Sequence, residues 1–92
     1  MTENELKHAV LDIAYRNGWA VYHVPQSTMR NGGGRGYPDL TCARDGEVVW
    51  LELKQDGKPL EAEQAGWFLA LPAAHKITPH DLETGRVHEL LA

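Results

Sequence analysis

The sequence predicts an α/β (α+β) fold in which helices flank a small mixed sheet, with elements in the order αβββαβ. Three observations predict it: a helical apolar period near the start, two alternating runs joined by an Asp-Gly turn, and a second helical period beyond them. The 92 residues suit one domain, 1–92. A chain of that length buries only about two-thirds of its unfolded surface, so a partner subunit is an expected source of stability.

Thr2 with Glu5 three residues on forms a capping box, and Leu6, Val10, Ile13 and Ala14 recur at helical spacing until Gly18, which predicts a helix over Glu3 to Asn17. Ala20 to Val24 is β-branched and aromatic and closes at Pro25, so it is a first strand. Gln26 to Tyr37 has no periodicity and is rich in glycine, which is long for a connection in so short a chain and marks a candidate functional loop. Asp39 to Ala43 and Val48 to Lys54 are two strands joined by Arg44-Asp45-Gly46-Glu47, where Asp-Gly predicts a two-residue type I′ hairpin. After the turn Asp56-Gly57-Lys58-Pro59, a second helix runs from Leu60 to Leu71, with residues 60, 67, 68 and 71 as its apolar face. His75 to Thr78 fits a short last strand, and Thr84 to Leu91 either a short helix or a further extended piece.

Composition excludes several classes. The opening residues carry Glu3, Glu5 and Lys7 with no apolar run, so the expectation is a cytoplasmic protein without signal or membrane span. Cys42 is the single cysteine, which rules out an internal disulfide and a thiolate zinc site and leaves strand packing as its role. The net charge of −4 weighs against a simple nucleic-acid-binding module. Acidic metal ligands account for part of that charge, however, and the stretch from Gln26 to Pro38 holds Arg30 and Arg35 with no acid.

With a two-residue turn, Arg44 faces Glu47, and counting back along both strands sets Asp39 opposite Glu52. Opposed cross-strand Cβ atoms lie about 4.5–5.5 Å apart, and like charges there are unfavourable unless a cation sits between them. Carboxylate oxygens suit Mg²⁺ or Mn²⁺. The strand period of two sends Glu52 and Lys54 to one side and Val49, Leu51 and Leu53 to the other, so Lys54 is placed to orient or deprotonate a water and to stabilise charge growing on a phosphate.

Gly36-Tyr37-Pro38-Asp39-Leu40, Leu51-Glu52-Leu53-Lys54, and Gln64 within Leu60-Glu61-Ala62-Glu63-Gln64 together resemble the stand-alone VRR-NUC domains, compact PD-(D/E)xK nucleases frequent in phages and related to Holliday-junction resolvases. The likeness runs from Thr2 to about Leu82, and it implies a restriction-endonuclease-like core. By that resemblance Asp39, Glu52 and the Leu53 carbonyl bind metal, Lys54 serves the attacking water, and Gln64 supports the site from the second helix. The family also places a glutamate of the first helix near the metal. Glu3 and Glu5 compete for that role, and helical phase together with the capping role of Glu5 favours Glu3. Where relatives show a clear apolar strand after the second helix, this chain has only His75-Lys76-Ile77-Thr78.

The expected activity is therefore Mg²⁺- or Mn²⁺-dependent hydrolysis of DNA phosphodiesters, with branched or junction DNA as the substrate the resemblance implies, by a homodimer that needs no organic cofactor. The rival is a non-catalytic nucleic-acid-binding module on a nuclease-like fold, which leaves the Asp-Glu-Lys set unexplained. Each motif alone is commonplace on solvated sheet faces. Gln64 also fits a satisfied buried amide. Arg30 and Arg35 fit a DNA-gripping loop or an ordinary surface loop, and Tyr37 either a base stack or packing beside Pro38. Gly32-Gly33-Gly34-Arg35-Gly36 is not a P-loop, because no Gly-Lys-Ser/Thr and no helix follows. The five histidines lack metal-binding spacing; four fit surface positions, and His23, on the strand expected to adjoin the site, fits either a surface residue or a minor catalytic or phosphate contact. Trp50, on the face of Glu52 and Lys54, fits a groove flank or a subunit contact.

Overall fold

The capping box at the start of the chain forms as the sequence requires. The Thr2 hydroxyl accepts the Glu5 backbone N–H at 3.1 Å and the Glu5 carboxylate accepts the Thr2 N–H at 2.7 Å. They open α1 (Glu3–Arg16), which buries Leu6, Val10, Ile13 and Ala14 along one stripe. The computed structural model describes residues 1–24 and 34–92.

Three antiparallel strands follow: β1 (Ala20–His23), β2 (Leu40–Arg44) and β3 (Glu47–Leu53). Asp45 and Gly46 both take positive φ, 51° and 80°, the signature of the type I′ turn, and the ladder runs from Arg44 opposite Glu47 to Leu40 opposite Leu51. The hairpin strands are each displaced one residue toward the turn from the expected Asp39–Ala43 and Val48–Lys54, with the register unchanged. At the far end Asp39 leaves the ladder, because its side-chain oxygen takes the Leu53 N–H at 2.9 Å while its carbonyl accepts from Val24 at 3.2 Å.

The second helix, α2 (Ala62–Ala70), is shorter than the expected Leu60–Leu71. Glu61 is extended and donates its N–H to Gln64 Oε1 at 2.8 Å, so the chain turns helical only after it. The apolar face expected on this helix is not buried. No residue of α2 is fully enclosed, Trp67 and Phe68 are half-buried, and Leu69 is 91% exposed. The core lies instead on the other side of the sheet.

α2 carries the chain across to β4 (Ala74–Ile77), which pairs in parallel with β3 and completes a mixed sheet in the order β1-β2-β3-β4. The weakly apolar segment near His75 is thus a strand, held by bonds from Trp50 N to Ala73 O and Lys54 N to Ile77 O, each 2.9 Å. Two short helices end the chain, α3 (Pro79–Glu83) and α4 (Arg86–Leu90), which settles the Thr84–Leu91 alternative as helix.

α1 and α4 cover one face of the sheet. Leu6, Val10 and Ile13 meet Leu40 and Cys42 of β2, Val49, Leu51 and Leu53 of β3, Ile77 of β4, and Val87 and Leu91. The Leu91 carbonyl accepts the Trp19 indole N–H at 2.8 Å and the Asn17 amide at 2.9 Å, and Arg44 lies 4.3 Å over the Trp19 ring while donating to the Asn17 and Ala92 carbonyls. These bonds tie the last helix to the end of the first. Cys42 is fully enclosed, and burial pushes its thiol up to about 11, in keeping with a packing role. Among the described residues no helix is long and apolar enough to cross a membrane.

Candidate active site

The alternation along β3 separates core from site. Val49, Leu51 and Leu53 are buried toward α1, while Thr41 and Trp50 pair on the opposite face. There the Trp50 indole N–H donates to the Tyr37 hydroxyl at 2.7 Å, Tyr37 also contacts Thr41 Oγ1 at 3.1 Å, and the Tyr37 ring meets Trp67 edge-on at 4.9 Å. Trp50 and Tyr37 are therefore engaged inside the chain. Trp67 in turn donates to the Arg35 carbonyl at 3.0 Å, so aromatic packing fixes the Arg35–Pro38 segment against α2.

That packing delivers Asp39. The register sets it next to Leu40, in line with Glu52 across the hairpin, and Leu53 N–H fixes its carboxylate. Glu52 is only 4% exposed. Burial, and then the neighbouring Asp39 carboxylate, push the Glu52 carboxyl up to about 8, and Lys54 opposes that rise. Gln64 donates Nε2–H to Glu52 Oε2 at 3.0 Å while its own oxygen accepts from Glu61. Gln64 is thus an amide satisfied on both atoms, one of its bonds being to the Glu52 carboxyl.

The backbone beside the pair is oriented too. In extended chain a residue's N–H and C=O point to the same side, so the Leu53 carbonyl faces the same edge as the N–H that holds Asp39. Lys54 is half-buried one residue further, its backbone tied to Ile77. Asp39, Glu52, Leu53, Lys54 and Gln64 are thus brought together.

Glu5 is spent on the cap, which also lowers its carboxyl's affinity for a proton. Glu3 is exposed and lines an open cavity with Asp39 and Leu53, but nothing places it in contact with Glu52. Arg35 is exposed and sits 3.8 Å from the Glu63 carboxylate. Arg30 lies outside the described residues, as does the loop from Gln26 to Gly33. Among the described residues no three His, Cys, Asp or Glu side chains gather to hold a metal ion by themselves.

Two features escaped the sequence reading. Lys7 lines the cavity beside Asp39, together with His23, the strand residue already expected near the site. Lys7 sits one helical turn from Glu3, and that spacing was the available signal. The second is Gly36: with φ +83° it packs its Cα so tightly on α2 that an added Cβ would fall 2.6 Å from the Glu63 carbonyl carbon and 2.8 Å from Gln64 N.

Fold and site together define an α+β chain with an acidic pair, an amine and an amide at one end of a hairpin. Comparison with protein-family models, with curated proteins and with solved structures gives no match for this chain.

Proposed function

We propose that this chain is a divalent-metal-dependent endonuclease that hydrolyses DNA phosphodiesters on a restriction-endonuclease-like core, in keeping with its resemblance to VRR-NUC domains. The observation that carries the reading is the pairing of Asp39, held by the Leu53 N–H, with a Glu52 that is only 4% exposed and held by Gln64, beside Lys54. Two carboxylates in contact are costly unless protonated or bridged, and a hard cation relieves the cost. The donors present fit Mg²⁺ or Mn²⁺: Asp39, Glu52 and the Leu53 carbonyl would hold it, with Glu3 as a further oxygen at the rim. Two side-chain carboxylates leave the remaining positions to water and phosphate, as Mg²⁺ commonly requires.

When bound, the cation supplies positive charge to the phosphate oxygens and acidifies a water. The protein groups do the rest. Lys54 orients the attacking water and offsets the negative charge that develops on phosphorus oxygens. Gln64 keeps Glu52 in place, and the Leu53 N–H keeps Asp39 in place, so the two oxygens need no reorganisation. The direct test is incubation of the purified protein with labelled duplex, flap and junction DNA in Mn²⁺, read on a denaturing gel. Nicks that vanish in EDTA support the reading, and nicking that persists in EDTA overturns it.

The raised Glu52 carboxyl makes a pH prediction. The fold binds that proton more tightly than the unfolded chain does, so in the metal-free protein its stabilisation is complete at low pH and is lost as pH rises through about 8. A cation must displace the proton. Mn²⁺ should therefore raise the thermal midpoint more above pH 8 than below it, with proton release on binding in the lower range. Equal shifts on both sides, in a calorimetric titration series, would count against the pair as the cation site.

A homodimer belongs to the same proposal, since two sites related by a twofold axis would address two strands. The exposed side of α2 is its natural seam: Leu69 is 91% exposed, and Gly66, Trp67 and Ala70 line a shallow depression that Arg35 and Glu63 also border. Leu69→Asp should turn a dimer into a monomer by light scattering, and a native particle of monomer mass would remove this part of the reading.

A further inference from the structure

Part of the lining of the cavity beside Asp39 has no role in the proposed reaction. The cavity measures about 360 Å³, and its wall includes Glu3 and Lys7 of α1, His23 and Val24 at the end of β1, Asp39, and Leu53. A pocket built only to hold a cation would be lined by oxygens, yet here an amine and an imidazole share the wall with the carboxylates. Lys7 is half-buried. Among the described residues no carboxylate pairs with its ammonium, so its charge is open to an anionic occupant. His23 lies opposite Leu40 in the ladder, one residue from Asp39, and its exposed ring adds a second nitrogen to the rim. Lys54 does not line this cavity, so the two lysines sit in different surroundings.

We propose that Lys7 and His23 form an anion subsite that seats a backbone phosphate of the nucleic acid against Asp39. The inference rests on the nuclease reading for the identity of the anion, but not for its binding. Lys7 is a phosphate-binding residue and Lys54 is the one that serves the water. Lys7 supplies a fixed positive charge, and His23 supplies a hydrogen bond that orients the phosphate.

The test is fluorescence anisotropy of a labelled DNA duplex with the full chain in EDTA, across a KCl titration, followed by steady-state cleavage in Mn²⁺. Lys7→Gln should weaken metal-free binding about tenfold and lower the slope of log affinity against log salt by about one. Lys7→Arg should keep most of the affinity, and His23→Gln should lose less than Lys7→Gln. In cleavage, Lys7→Gln should act mainly on KM. A folded Lys7→Gln protein with wild-type affinity and salt slope overturns the subsite, even where the wild type cleaves DNA. Weakened binding in Lys7→Gln supports the subsite, even where the wild type fails to cleave and the nuclease reading falls.

Discussion

Lys54→Ala is expected to lower DNA cleavage in Mn²⁺ by about a hundred- to ten-thousand-fold, the range typical for loss of a positioned proton-transfer or charge-stabilising group. The fold should survive, because the structural bond of this residue runs from its backbone N–H to the Ile77 carbonyl and does not depend on the side chain. The side chain is half-buried at the end of β3, so truncation leaves no enclosed cavity. A second signature separates this role from a generic loss of charge. Lys54 opposes the rise of the Glu52 carboxyl, so its removal should move the onset of Mn²⁺ binding to higher pH. Cleavage rate, circular dichroism and the pH dependence of Mn²⁺ binding check the three parts. Wild-type turnover in Lys54→Ala would refute the mechanism outright.

Lys54→Arg is a sharper version of the same experiment. It preserves charge, so electrostatic support of Glu52 should persist, yet the guanidinium cannot give up its proton and is a broader, forked donor. If Lys54 acts only as a fixed positive charge, Lys54→Arg should recover much of the rate. If it deprotonates the water, Lys54→Arg should be nearly as slow as Lys54→Ala while binding Mn²⁺ with the wild-type pH dependence.

Much of this arrangement is legible in residues that act locally. Thr2 and Glu5 announce α1, and Asp45-Gly46 fixes a hairpin whose register then sets Asp39 in line with Glu52 by counting alone. Gln64 is visible only through the family resemblance, because the distance from α2 to β3 is a tertiary fact that periodicity does not carry. The burial of Glu52 is hidden for the same reason: alternation assigns it to the polar face, while the aromatic layer of Tyr37, Trp50 and Trp67 and the amide of Gln64 close over that face. The exposed α2 fails the sequence expectation in the opposite direction. Its apolar residues meet the helical pattern, but α1 and α4 already fill the core side of the sheet, and α2 has only the thinner aromatic layer to lie against.

Gly36→Ala is expected to cost about 2–4 kcal/mol of stability and to impair the site beyond that loss. Two costs combine. The residue holds φ +83°, where a Cβ is strained by about 1–2 kcal/mol. The added carbon would also meet backbone atoms of Glu63 and Gln64 at 2.6 and 2.8 Å, and backbone of a helix cannot rotate aside. Relief requires α2 to move away from the Gly36–Asp39 segment, which withdraws Gln64 from Glu52 and loosens the Trp67 bond to the Arg35 carbonyl. Gly57 provides the control within the same chain. It has φ +79° but nothing within 4 Å of its Cβ position, so Gly57→Ala should carry the backbone strain alone, about 1–2 kcal/mol. Urea denaturation of the two variants measures the difference, and cleavage per folded molecule measures the effect on the site. Equal destabilisation in both would mean that the close approach of Gly36 to α2 is not what holds Gln64 against Glu52.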